Sequence, residues 1–174
     1  TLPELDKVLL PYVLKSEAAA LEKFRQMGVA DDVAREFAVK ETVRELEQGF
    51  QSLELKLNTV PCSRGDFAFT TITFGQWKPE NYTASEREWL STISRTMLRV
   101  RKKGHGRHGK PVVFPKLVYL YDRDQIANDK PSAELFDEAL RTSAECMYPD
   151  YLSLSSESGS VSQIYQRYGA ITSP

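Results

Sequence analysis

The nine residues 66–74, Asp-Phe-Ala-Phe-Thr-Thr-Ile-Thr-Phe, constrain the fold more than any other segment. They are rich in aromatic and β-branched side chains and lie between Gly65 and Gly75, so composition and length predict a strand. Alternation puts Phe67, Phe69, Thr71 and Thr73 on one face and Ala68, Thr70, Ile72 and Phe74 on the other. Neither set carries a charge. Such a strand is expected to be covered on both faces, as in a parallel sheet packed under helices.

The residues after Gly75 fit that expectation. Ser85 reads as a helix cap with Glu86 and Glu88 in the first turn, and Trp89, Leu90, Ile93, Met97, Leu98 and Val100 form the apolar stripe. After a basic loop, residues 111–121 (Pro-Val-Val-Phe-Pro-Lys-Leu-Val-Tyr-Leu-Tyr) predict a second strand. A loop through Asp129-Lys130-Pro131 leads to Ser132, expected to cap a helix over 133–147 with Leu135, Phe136, Ala139, Leu140 and Ala144 inward. Tyr148-Pro149 ends it. Residues 151–154 make a short strand candidate and 161–168 one more helical segment. Helix, strand, helix, strand, helix, short strand is the α/β order.

The first third reads as helix throughout. Leu9, Leu10, Val13, Leu14, Ala18, Leu21 and Phe24 recur mostly at spacings of three and four. Proline suits only a first helical turn, so the helix is expected to begin near Pro11, with Gly28 as its C-terminal cap. A second helix is expected over 32–57 with the stripe Val33, Phe37, Val43, Leu46, Phe50, Leu53 and Leu57. Gly49 weakens it by roughly 1 kcal/mol relative to Ala, which predicts close packing at that turn.

Composition excludes several classes. The 174 residues carry 23 Lys+Arg against 24 Asp+Glu, a balance unlike that of a generally basic nucleic-acid binder. The longest apolar run, 117–121, is far short of the ~20 residues of a membrane span, and the first residues lack the pattern of a signal peptide. Cys62 and Cys146 are the only cysteines, too few for a disulfide framework or a four-cysteine zinc site. A reducing cytoplasm is the default expectation, with both as thiols.

Chemistry-bearing residues concentrate in a few places. Asn58, Cys62, Ser63 and Arg64 stand just before the first strand, where polar groups either contact a ligand or merely cap a helix end. Lys116 interrupts an apolar strand. Burying its charge alone costs several kcal/mol, so it must meet a carboxylate, escape at a strand end, or face a polar cavity holding an anion. Residues 95–110 hold seven Lys/Arg and two His with no acid. They read as phosphate binding or, more simply, as a helix C-terminus decorated with cations and continued by a solvated loop. His105 and His108 have no adjacent cysteine, which argues against a metal site. Cys146 reads as a core thiol, and no Gly-x-Ser-x-Gly elbow supports a serine hydrolase.

The stretch 48–75, Gln-Gly-Phe-Gln-Ser-Leu-Glu-Leu-Lys-Leu-Asn-Thr-Val-Pro-Cys-Ser-Arg-Gly-Asp-Phe-Ala-Phe-Thr-Thr-Ile-Thr-Phe-Gly, resembles the anaerobic (class III) ribonucleoside-triphosphate reductases. There a helix ends in Leu-Asn, and Ser/Thr-Arg and Gly lead into an aromatic, threonine-rich barrel strand. The segments 109–122 (Gly-Lys-Pro-Val-Val-Phe-Pro-Lys-Leu-Val-Tyr-Leu-Tyr-Asp), 147–154 (Met-Tyr-Pro-Asp-Tyr-Leu-Ser-Leu) and 165–174 (Tyr-Gln-Arg-Tyr-Gly-Ala-Ile-Thr-Ser-Pro) are also similar, in family order.

The resemblance implies an α/β fold: part of the ten-stranded barrel of glycyl-radical enzymes, with parallel strands alternating with amphipathic helices. It implies one barrel fragment over 1–174, mainly helical over 1–57 and strand-helix-strand-helix-strand over 58–174. It also implies a parent enzyme that reduces ribonucleoside triphosphates to deoxyribonucleotides by glycyl and thiyl radical chemistry. That parent is expected to be a homodimer with nucleotide effectors, a structural zinc and a separate radical S-adenosylmethionine activating enzyme. In the family the segment matching Ile171-Thr172-Ser173-Pro174 runs into Met-Gly-Cys, whose cysteine carries the thiyl. The chain is therefore expected to stop just short of its reactive sulfur, with no catalytic residue, metal or cofactor of its own and no turnover alone. Asn58, Cys62, Ser63, Arg64 and Lys116 are then candidates to line the substrate cavity, with Cys62 not the radical site. Neither a membrane nor a nucleic acid is expected as a partner. The alternative is a phosphate or nucleic-acid binding module built on the basic segment from Arg95 to Lys110.

Overall fold

A computed structural model describes all residues except 62, 64, 105–107, 113, 156–159 and 169–174. Two long helices come first, α1 (Leu5–Gln26) and α2 (Asp31–Thr59). Next come β1 (Thr71–Phe74), a short 3₁₀ turn (Pro79–Asn81), α3 (Ala84–Lys103), β2 (Lys116–Tyr121), α4 (Arg123–Asn128), α5 (Lys130–Cys146), β3 (Asp150–Ser153) and α6 (Ser160–Tyr168). The three strands are parallel in the order β1-β2-β3, which makes the chain an α/β protein. Register sets Ile72 beside Leu117 and Phe74 beside Tyr119. These four side chains form one core with Leu90, Ile93 and Leu98 of α3 and Leu135 and Ala139 of α5. Alternation sends Thr71, Thr73, Lys116, Val118 and Leu120 to the far face of the sheet. There Thr73, Val118 and Leu120 are themselves buried.

Several boundaries differ from those expected. The ladder of β1 takes only the last four residues of the expected nine, and Phe67 and Phe69 are exposed, the latter edge-on to Phe114. Thr70 O still accepts from Lys116 N–H (2.8 Å), but strand-forming composition alone does not extend the ladder further back. β2 likewise begins at Lys116 rather than 111.

Helix α1 starts six residues before Pro11, which lies within it. Tertiary anchors override the proline preference. Leu2 pairs in parallel with β1 through Leu2 N–H to Thr71 O (2.8 Å) and Thr73 N–H to Leu2 O (3.2 Å). Glu4 N–H donates to Thr73 Oγ1 (2.8 Å), so the first turn is set from the sheet. At the other end Gly28 takes a left-handed backbone (φ 77), as its expected capping role requires.

Helix α2 turns Ala34, Ala38, Thr42, Phe50 and Glu54 inward, whereas the expected stripe members Val33 and Phe37 are exposed. Small residues let α2 approach α1 closely, and Phe37 instead packs against the ring of Phe24 at 5.6 Å. The close packing expected at Gly49 is absent: a Cβ there would meet nothing within 4 Å. Gly49 borders an apolar groove of about 300 Å³ between α1 and α2, with Leu9, Val13, Leu46 and Phe50 around it.

Two caps fall earlier than expected. Thr83, not Ser85, begins α3: its Oγ1 accepts from Glu86 N–H (3.3 Å) and Glu86 Oε2 accepts from Thr83 N–H (2.8 Å). Thr83-x-x-Glu86 and Ser85-x-x-Glu88 both fit a capping box, and the structure uses the first. Asp129, not Ser132, caps α5, which places Pro131 in the first turn. Of the residues expected inward on α5, Leu140 and Ala144 are exposed.

Candidate functional site

Two of the sequence candidates, Asn58 and Lys116, lie at the N-terminal end of β2. Asn58, in the last turn of α2, uses its carboxamide as a peptide would. Nδ2 donates to Phe114 O (2.6 Å) and to Glu54 O (2.6 Å), and Oδ1 accepts from Phe114 N–H (3.3 Å). It thereby pins α2 to the segment that becomes β2. Lys116 opens β2, and its Nζ lies 3.0 Å from Oδ2 of Asp150, the first residue of β3; both side chains are about half exposed (47% and 49%). Of the three fates open to this lysine, the structure supplies a carboxylate and a strand end together. Thr71 stands beside Lys116 in register. Ser63 is exposed, while Cys62 and Arg64 lie outside the described residues.

The C-terminal end of β1 carries a denser polar constellation that sequence reasoning missed. Asp6, fully buried at the start of α1, accepts from Gly75 N–H (2.9 Å), Ser94 Oγ–H (3.3 Å) and Lys7 N–H (3.0 Å). Burial raises its carboxyl from the ordinary 3.8 to about 6, although the Gly75 N–H and the neighbouring Lys7 pull it down.

That upward shift fixes how stability responds to pH. Between pH ~4 and ~6 the unfolded chain releases this proton before the folded one does. The contribution of Asp6 is therefore fully present below about pH 4 and lost as pH rises through about 6. We expect Asp6→Asn to remove a stability slope of up to roughly 3 kcal/mol across that window. Urea midpoints of both proteins from pH 4 to 7 measure it, and identical slopes would contradict the assignment.

Beyond Gly75, Trp77 Nε1–H donates to Asp129 Oδ2 (3.1 Å), and Arg87 Nη1 lies 2.7 Å from Asp129 Oδ1. Trp77 N–H donates to Gln125 Oε1 (3.0 Å), and Gln125 Nε2 donates in turn to Ser132 Oγ (2.5 Å). These side chains lock the β1–α3 and β2–α5 connections together. On the other side, Lys7 Nζ donates to Glu4 Oε1 (2.8 Å) and Gln76 Oε1 (3.2 Å), and the Tyr165 hydroxyl of α6 reaches the same two oxygens. The signal available in sequence was faint: an Asp-x-x-Ser cap at Asp129, and an aspartate at a helix start that reads as dipole complement.

The basic segment is a set of interhelical clamps. Arg95 pairs with Glu134 (2.9 Å), Lys102 with Glu138 (3.2 Å), Lys103 with Glu47 (3.4 Å) and Arg101 with Glu54 (2.8 Å). Arg101 is only 2% exposed. It also donates to Pro115 O (2.6 Å) and stacks on Tyr148, with 5.1 Å between guanidinium and ring. A run that reads as solvated thus ties α3 to α2 and α5. His105 and Arg107 lie outside the described residues.

Cys146, expected in the core, is half-buried at the end of α5, and burial pushes its thiol up. Among the described residues no group of three or more His, Cys, Asp and Glu is placed to hold a metal ion. No described helix is long and apolar enough to cross a membrane.

A family model described as "Anaerobic ribonucleoside-triphosphate reductase" matches residues 1–169. Curated proteins of that name are similar to the chain. The one from Enterobacteria phage T4 is 33% identical over 155 residues, covering 88% of this chain and 24% of the relative. That of Escherichia coli (strain K12) is 32% identical over 155 residues, covering 87% and 20%. That of Haemophilus influenzae is 32% identical over 154 residues, with the same coverage. The chain spans about a fifth to a quarter of the length of these relatives.

Proposed function

The chain belongs to the anaerobic ribonucleoside-triphosphate reductase family, and from that premise we propose that it is a segment of the catalytic barrel of such an enzyme, acting in the cytoplasm on ribonucleoside triphosphates. The match of the family model over residues 1–169 carries the reading. The all-parallel sheet supports it, because strands added in chain order with helices on one face are what a larger α/β barrel is assembled from. In this reading the end of the far face where Thr71 and Lys116 stand is cavity wall. Asn58, Cys62, Ser63 and Arg64 border its N-terminal end.

This chain's own residues then bind and orient. Asn58 fixes the approach to β2, and the Lys116–Asp150 pair offers a donor beside an acceptor at the mouth of that wall. The glycyl radical, the thiyl cysteine and the structural zinc belong to parts of the longer protein. The described residues do not fit a metal site, so no step is routed through one here. Nucleotide effectors, a second subunit and a radical S-adenosylmethionine activator are the partners this reading brings.

The reading forecasts that the native open reading frame continues past Pro174 into Met-Gly-Cys and, further on, a glycyl-radical motif. It also forecasts that the full-length protein, activated without oxygen, converts ribonucleoside triphosphates to deoxyribonucleotides. A frame lacking both motifs, or an activated protein with no such product, would overturn it. The alternative of a phosphate or nucleic-acid module on the basic segment is disfavoured by the pairing of Arg95, Arg101, Lys102 and Lys103 with protein carboxylates.

A further inference from the structure

A phenol gives up an electron readily only where its proton has somewhere to go. One-electron oxidation turns a tyrosine hydroxyl into a strong acid, so a base within hydrogen-bond reach decides whether a neutral phenoxyl radical forms. The tyrosines of this fold differ on that point. Tyr119 is fully buried among Phe74, Phe136 and Tyr151, and its hydroxyl has no hydrogen-bond partner among the described residues. Tyr151 pairs with the Ser143 hydroxyl (2.9 Å), and a hydroxyl is a weak base. Among the described residues, Tyr165 is the tyrosine that donates to a carboxylate. Glu4 Oε1 lies 2.9 Å from its oxygen, and Gln76 Oε1 is a second acceptor.

The acceptors are held in place. Glu4 N–H donates to Thr73 Oγ1 (2.8 Å), and Lys7 Nζ donates to Glu4 Oε1 (2.8 Å) and Gln76 Oε1 (3.2 Å). The Glu4 side chain is 18% exposed, so water competes poorly for its oxygen. Burial and the charge of Glu4 push the Tyr165 hydroxyl above the ordinary tyrosine range, so it enters a reaction with its proton on. The Lys7 ammonium weakens Glu4 as a base, but an oxidised phenol is a stronger acid than a carboxyl group. The proton therefore still crosses.

We propose that Tyr165 is a site of proton-coupled oxidation, at which a one-electron oxidant leaves a neutral phenoxyl radical. The electron passes from the ring to the oxidant, an organic radical or an oxidised metal complex, which is reduced by one electron. The O–H bond breaks and its proton moves to Glu4 Oε1, whose new carboxyl group returns the hydrogen bond to the phenoxyl oxygen. Reduction reverses both transfers without moving a heavy atom. This chemistry goes beyond the proposed function and uses only described residues.

The test is flash oxidation of the full-length protein by photogenerated tris(bipyridyl)ruthenium(III), with phenoxyl formation followed by transient absorption and by EPR of rapidly frozen samples. The wild type is expected to show a fast phase of phenoxyl formation that Tyr165→Phe abolishes and Tyr119→Phe leaves intact. Glu4→Gln keeps the side-chain shape and an acceptor oxygen but removes the base. It is expected to slow that phase by about 10²-fold, the lower end of what a positioned base contributes. A wild type without the fast phase, or a fast phase that survives Tyr165→Phe, overturns the inference. So does Glu4→Gln at the wild-type rate, because the carboxylate is then not where the proton goes.

Discussion

Replacing Arg101 by Met is expected to lower stability by about 3–5 kcal/mol, the cost of leaving one member of a buried ion pair without the other. The two side chains are only 1% and 4% exposed, so water cannot take over from the lost guanidinium. The substitution also abandons Pro115 O and the face of Tyr148. At about 2–4 °C per kcal/mol for a chain of this size, the thermal midpoint should drop by roughly 6–20 °C. The double variant Arg101→Met/Glu54→Leu removes both charges and should recover most of the loss, because apolar replacement of a whole buried pair is often neutral. Calorimetry on the four proteins of the cycle measures the coupling. A loss below about 1 kcal/mol in the single variant would mean that the pair does not hold α2, α3 and the start of β2 together.

A comparable penalty is expected from Gly75→Ala. Gly75 has φ 96, a backbone conformation that side chains disfavour, and an added Cβ would lie 2.6 Å from Cε2 and 2.8 Å from Cδ2 of Tyr119. That ring is fully buried and packed edge-on against Phe74 at 5.6 Å, so it has little room to withdraw. Backbone strain of about 1–3 kcal/mol and overpacking of about 1–3 kcal/mol act together, and any shift of the turn also weakens the Gly75 N–H bond to Asp6. A denaturant midpoint within error of wild type would show that the ring yields freely.

The elements legible in sequence were those with strong periodicity. The stripe of α3 was fully readable because Trp89, Leu90, Ile93, Met97, Leu98 and Val100 are all large and apolar, and all are buried. The inward face of α2 was not, because Ala34, Ala38 and Thr42 are small and carry little hydrophobic signal, while the conspicuous Val33 and Phe37 point elsewhere. Residues 66–70 looked like strand because propensity records what a backbone tolerates and says nothing about a neighbour to pair with. At the candidate site, the importance of Asn58 and Lys116 could be sensed from their chemistry against an apolar background. The partners Phe114 and Asp150 could not, since the first pairing joins residues 56 apart in sequence. Arg101 was hidden in plain view. Six other cations share its segment, and only its position on α3 facing Glu54 separates it from them.

The strand order β1-β2-β3 equals the order of synthesis. A nascent polypeptide leaving the ribosome can therefore consolidate the helical hairpin, then dock each strand beside the one already laid down, with no insertion between finished strands. The tie from Tyr165 back to Glu4 is the exception. It closes only once α6 has emerged, after the three strands it reaches across have been laid down.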